Sequence, residues 1–345
     1  MADRMLSPKP IRTCALSIAA AVLAAACASE TGAELAPARA ASVSEAIELA
    51  TPERGFQVET AGMWIEPGDD VRMCEVVVLP GDSHERFYVN RIQSALSARA
   101  EDLVVRAAEP GSDTAAIMDR GASLPCTRAG EAFGEQLSDV LRSRGHYSDE
   151  RFTPGAGKVF VGGHKLVVEY HYVNDSKEAA FAKAKLAFHV VDSDKVQHLV
   201  HTASFDNFTI YTPPNGQSSH LGECRVRDEI VVSDLIRRTQ RFGTDFKVWL
   251  VGGEQDGTLL WESGDRRDSR KTLAAPLHLQ PGEGLRFQCD YDNPTDHELR
   301  YGVSAADETC TLDARFWAVS DAEGAAAQDC LLFSVDVDGV ARPRL

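Results

Sequence analysis

Lys165-Leu166-Val167-Val168-Glu169-Tyr170-His171-Tyr172-Val173 is the run that decides the fold class. In an extended chain Leu166, Val168, Tyr170 and Tyr172 fall on one side, and Lys165, Val167, Glu169 and His171 on the other. Branched and aromatic residues at this period describe a strand with one face in a core. Arg72 to Leu79, Phe246 to Val251 and Leu285 to Tyr291 repeat the theme between Gly, Pro, Asp and Asn turn signals. Short runs at short intervals predict an all-β chain of two tandem antiparallel β-sandwich (jelly-roll-like) domains. Asp192-Ser193-Asp194 marks their boundary, giving domains over 56–192 and 193–345. The clearest helical spacing is Phe133, Leu137, Val140 and Leu141, between Gly130 and Gly145, and a short helix also fits Val43 to Leu49.

The 345 residues suffice for two domains, and 43% hydrophobic with 26% charged residues describes a globular chain. Arg4, Lys9 and Arg12 precede an apolar run from Ala15 to Ala26 that is too short for a permanent membrane span, so residues 1–27 read as an export signal. Leu23-Ala24-Ala25-Ala26-Cys27 resembles a bacterial lipobox, which makes Cys27 the expected acylated first residue of a membrane-anchored lipoprotein. Plain secretory cleavage between Ala26 and Ser29 is the alternative. Ala28 and Ser29 lack the aspartate associated with inner-membrane retention, so the outer membrane is the expected address. Residues 28–55, rich in Ala, Ser and Glu, read as a tether. Losing residues 1–27 deepens the net charge from −16 to −18, which disfavours nucleic acid as a partner. Cys74, Cys126, Cys224, Cys289, Cys310 and Cys330 form an even set, as disulfides in an exported protein require, but their spacing alone leaves the pairing open.

Three ordered landmarks carry a more specific reading. The first is Trp64-Ile65-Glu66-Pro67-Gly68, followed by Cys74 and Leu79-Pro80. The second runs from Gly155-Ala156-Gly157-Lys158 through Gly162-Gly163-His164 to Tyr170-His171-Tyr172-Val173-Asn174. The third is Cys289-Asp290-Tyr291-Asp292-Asn293-Pro294-Thr295, running on to Tyr301-Gly302 and Thr309-Cys310. With them the chain resembles the type II copper, ascorbate-dependent monooxygenases, the family of peptidylglycine hydroxylase and dopamine hydroxylase, over roughly Trp64 to Trp317. The resemblance implies the pairs Cys74–Cys126, Cys224–Cys330 and Cys289–Cys310.

It also implies two copper sites: an electron relay held by three histidines, and an oxygen-activating centre held by two histidines and a methionine. Imidazole suits both copper oxidation states, and a thioether stabilises Cu(I). Here the relay's adjacent histidines fall on Glu101 and Asp102, and its third on His171. The oxygen site falls on Arg238, Gln240 and Thr309. A guanidinium stays protonated and offers no lone pair, and like charges ~4 Å apart repel by ~4 kcal/mol at an effective dielectric of ~20. Of the family's ligands only His171 remains, so no catalytic residue and no cofactor is expected. The expected protein is a non-catalytic relative acting as a binding or assembly module at the cell envelope, with an unknown protein or small-molecule ligand. The alternative is an active copper monooxygenase with a shifted ligand set drawn from His164, His189, His198 and His201. A third reading places a hard cation or an anion among Glu101, Asp102, His171 and the arginines Arg237, Arg238 and Arg241. Two further motifs read as structure: His198 and His201 point to opposite faces of a strand, and Asp290, Asp292, Asn293 and Asp296 form a turn without calcium-loop spacing.

Overall fold

The computed structural model describes residues 47–108, 123–126, 137–302, 306–319, 328–335 and 341–343, the last two segments as backbone only. The signal segment with Cys27, most of the tether, and Phe133 lie outside these residues. Lys165–Val173 forms the middle of a five-stranded sheet, between Asp70–Val78 and Ala100–Ala108, with Ser123–Pro125 and Leu137–Arg144 at its edges. Leu166, Val168, Tyr170 and Tyr172 are buried in one core, as their alternation requires. Opposite them in that core are Ile92, Phe160, Leu186 and Phe188, from a second sheet. That sheet runs Gly55–Glu59, Ala184–Val191, Arg86–Leu96, Ala156–Val161, His198–Leu199, with Tyr147–Arg151 also on Arg86–Leu96.

The remaining large sheets follow in sequence. One holds His201–Asp206, Thr311–Ala318, Ile230–Arg238 and Arg270–Leu279; the other is built around Gly243–Val251, Gly284–Asn293 and Gly216–Val226. Leu235, Phe246, Phe287 and Phe316 fill a second core between them. The described residues are thus all-β, with four large sheets, two large hydrophobic clusters and a small third one at Cys74, Val76, Ala108 and Val167. The passage between the two sets of sheets falls between Leu199 and His201, after a 3-10 turn at Ser193–Lys195. Val200, Val231 and Trp317 pack into the first cluster, so apolar contact joins the halves. Among the described residues, no helix is long and apolar enough to cross a membrane.

The helical spacing at Leu137, Val140 and Leu141 belongs instead to a strand, Leu137–Arg144, paired with Ala100–Ala108. Register slips between Val105 and Arg106, whose partners are Leu141 and Asp139, leaving Val140 as an extra residue. Such a bulge turns two consecutive side chains inward, and Val140 and Leu141 are both buried. A local irregularity thereby imitates helical periodicity. Residues 47–49 of the other expected helix are not helical.

Cys74–Cys126 and Cys289–Cys310 are disulfides, closing separations of 52 and 21 residues. Cys224 is also disulfide-bonded, and register places it opposite Cys330. Asn174 and Asn293 each close a turn in the same way. Asn174 Nδ2 donates to the Ile65 and Glu178 carbonyls, and its Oδ1 accepts from Ser176. Asn293 Nδ2 donates to the Pro213 and His297 carbonyls, and its Oδ1 accepts from Thr295. Asp290 and Asp292 thus end the strand Gly284–Asn293, Asp290 being held by Ser219 and Gln288, and only Asp296 lies in the bend that the Asn293 amide closes.

Close strand approach sets one testable constraint. A Cβ on Gly284 would sit 1.9 Å from the Cys224 carbonyl oxygen. Neither strand can yield without breaking its ladder, so Gly284→Ala is expected to lower stability by about 1–3 kcal/mol. An unchanged urea midpoint would exclude that packing.

Candidate functional site

Three strands of the first half and one of the second bring the sequence-predicted positions together. Asp102 lies in Ala100–Ala108, with His171 as its cross-strand partner on one side and Arg144 on the other. Arg238 ends Ile230–Arg238 and pairs with Thr311, just beyond Thr309. A cleft of about 200 Å³ between the halves is lined by Asp102, Arg238, Gln240 and Thr309 together. Four of the expected ligand positions, remote in sequence, thus share one cavity. Glu101 is exposed and does not line it.

Each of these groups is already engaged. Arg72 donates to both carboxylate oxygens of Asp102 at 3.1 and 3.0 Å and to Glu169 at 2.7 Å. His171 Nε2 meets Asp70 Oδ1 at 2.6 Å, while its Nδ1 lies 3.6 Å from Asp102. Arg238 donates from Nε and Nη2 to Asp313 at 3.1 and 3.3 Å. Gln240 gives its side-chain amide to the Gly302 carbonyl at 3.0 Å. Its backbone N–H, with that of Phe242, reaches the Glu308 carboxylate at 2.7 and 2.6 Å.

Buried ion pairs continue across the boundary between halves. Arg142 donates to Asp139 at 2.8 Å and forms an ion pair with Asp313 at 3.4 Å. Arg106 joins Asp139 at 3.4 Å and Glu169 at 2.8 Å. The Ser204 hydroxyl lies between Asp139 and Asp313, within hydrogen-bond reach of both. Behind the cleft Arg315 pairs with Glu150, and Arg270 lies 2.7 Å from Asp234.

Burial favours the neutral form of the carboxylates, yet the facing guanidiniums win and hold Asp139 and Glu169 below the ordinary range. Asp102 is depressed further: burial opposes ionisation, but His171 and Arg72 outweigh it. For His171, burial lowers the imidazole's affinity for a proton, and hydrogen bonds to Asp102 and Asp70 more than reverse this. Glu308 goes the other way; it is fully buried, and despite three backbone N–H donors its carboxyl is pushed up to about 7.

Copper does not fit the groups at the expected positions. Arg238 cannot ligate, Gln240 and Thr309 offer only hard oxygen donors, and Asp102 is tied into ion pairs. The other histidines are dispersed: His164 contacts the Ala108 carbonyl, His189 contacts Gln93, His198 stacks on Trp317, and His201 packs on Phe316. Among the described residues, the one group of His, Cys, Asp or Glu with metal-like proximity is Cys74, Cys126 and Glu169, whose sulfurs are already bonded to each other. Sequence reasoning missed Arg72, Arg106 and Arg142, which build the cleft's walls, and Asp313, which pairs with Arg142 and Arg238. Alternation in their strands marks the arginines as facing away from the first core and Asp313 as facing away from the second, but only the register reveals their partners.

The signs give a pH profile. Asp102, Asp139 and Glu169 have depressed folded values, so their stabilisation is complete above the unfolded range of 3.8 to 4.5 and is lost as pH falls. Glu308 and His171 are raised, so their stabilisation is complete below 4.5 and 6.5 respectively and is lost as pH climbs through their folded values. Urea midpoints should therefore peak at mildly acidic pH, and Glu308→Gln should remove the decline between 4.5 and 7. A midpoint rising steadily to neutrality would contradict this.

No protein-family model and no curated protein matches the chain. Among solved structures, similarity is found to the major capsid protein P2 from Bacteriophage PM2, at 9% identity and TM-score 0.30, over 78% of this chain and 100% of that one. PNGF-II is similar at 8% identity and TM-score 0.31, over 81% of this chain and 66% of its own. Likenesses at this level have no bearing on function.

Proposed function

We propose that the chain is an exported, lipid-anchored relative of the copper type II ascorbate-dependent monooxygenases, with two tandem antiparallel β-sandwiches, that binds a ligand in its central cleft and performs no copper chemistry. One observation carries the reading: Asp102, Arg238, Gln240 and Thr309 line a single cavity. Random misassignment of four positions would scatter them over the surface. Their chemistry supports a change of role, because a guanidinium and a threonine stand where imidazole and thioether would hold the metal. The two disulfides and the asparagine-closed turns match the family landmarks at Cys74, Cys289 and Cys310.

In this reading the cleft keeps its place between the halves while its walls become ion pairs. A membrane-anchored chain with such a cleft serves as a binding or assembly module at the envelope, its anchor at Cys27 holding it at the outer membrane.

Purified protein incubated with copper and desalted should retain only substoichiometric metal and should drive no ascorbate-dependent oxygen consumption. Copper near two per chain with turnover would overturn the proposal. Separately, Cys27→Ser should move the protein from the membrane fraction to the soluble one; unchanged fractionation would remove the lipid anchor from the account.

A further inference from the structure

The cleft is unevenly neutralised. Arg72, Arg106, Arg142 and Arg238 each have a carboxylate within 4.0 Å, supplied by Asp102, Asp139, Glu169, Asp206 and Asp313. Two other arginines on its wall, Arg144 and Arg237, form no such pair among the described residues. Arg144 gives an N–H to the Thr239 carbonyl oxygen. Arg237 is only 2% exposed, gives one N–H to the Ser263 carbonyl, and lies 5.9 Å over the Phe246 ring. Its Nη2 is buried and has no hydrogen-bond partner. Asp245, Asp265 and Asp268 act on it only from a longer range, and Arg144 repels it.

A buried guanidinium without a counter-ion carries an uncompensated desolvation penalty. Arg237 is such a group, and the half-buried Arg144, on which Asp102, Glu308 and Glu101 act without forming an ion pair, adds a second positive charge to a wall whose other carboxylates, Glu169 and Asp206, serve other arginines. The planar fork of a guanidinium matches an oxyanion, and such charge-assisted bonds are strongest in a site shielded from water. Leu103, Val104 and Ile236 supply apolar wall beside the charges.

We infer that the cleft is an anion-binding site, in which Arg144 and Arg237 receive the carboxylate or phosphate group of a small ligand. This rests on the cleft-binding reading above and names the chemistry of its ligand. Arg241, grouped with these arginines on sequence grounds, is exposed and packs 5.3 Å over Phe242 instead, outside the cleft.

The test is calorimetric titration of the full chain with inorganic phosphate and, in parallel, with succinate, at low ionic strength and with sodium chloride as the screening control. The expected result is saturable binding at one site by at least one probe. Arg144→Gln and Arg237→Gln should each weaken it about tenfold or more, the value of a lost charge-assisted bond. Arg241→Gln should leave it unchanged, and circular dichroism should show all three variants folded. If Arg237→Gln fails to fold, Arg144→Gln carries the test alone. A preference for phosphate over succinate, or the reverse, identifies the headgroup. The inference is overturned if neither probe binds at millimolar concentration, or if Arg144→Gln binds as the parent does. Either result leaves the copper measurement untouched, so failure here is distinct from failure of the proposed function.

Discussion

The carboxylate of Asp313, fully buried, draws Arg142 from the first set of sheets and Arg238 from the second onto one point. Everything that defines the cleft depends on this. Asp139 takes the other side of Arg142, Arg106 links Asp139 to Glu169, and Arg72 carries the chain of charges on to Asp102 and His171. Buried ion pairs add little net stability over an apolar replacement, because desolvation offsets much of the attraction. Breaking one is costly, since it strands the other charge. The network therefore acts as a register device: it penalises any other juxtaposition of the halves more than it rewards this one. Apolar contacts of Val200, Val231 and Trp317 supply the attraction that it orients.

This view links the residues at the expected ligand positions to the fold. A copper pair needs neutral imidazoles around an open cavity, whereas Asp102 and Arg238 are charged and committed to partners. Asp102 and Arg238 each finish an ion pair, and Gln240 holds the loop at Gly302 and Glu308. Groups with little affinity for copper thus fix the walls of the cavity. What is left over is positive, at Arg144 and Arg237, and that remainder gives the cleft its chemistry.

Much of this was legible in the sequence. Period-two alternation separated the two faces of Lys165–Val173, with Tyr170 and Tyr172 in the first core and His171 on the other face, but it did not show that this second face is buried as well. The bend after Asn293 was legible from the missing calcium-loop spacing, but the strand that carries Asp290 and Asp292 into it was not part of that reading. The convergence of Arg238, Gln240 and Thr309 could be anticipated only through the family resemblance, not from the spacing. Leu137–Arg144 was misread, since a bulge at Val140 inserts one residue and shifts an alternating pattern toward a helical one. The ion-pair network was illegible for another reason: its members lie on different strands, and a one-residue change of register would exchange every partner.

The most direct test of the account is a double-mutant cycle on Arg142 and Asp313, with Arg142→Met, Asp313→Asn and the double variant followed by urea unfolding. A lattice that sets the geometry between halves predicts a favourable coupling of about 1–3 kcal/mol, as measured for contacting buried pairs. Strict additivity of the two single substitutions would contradict it and leave the cleft without its organising interaction.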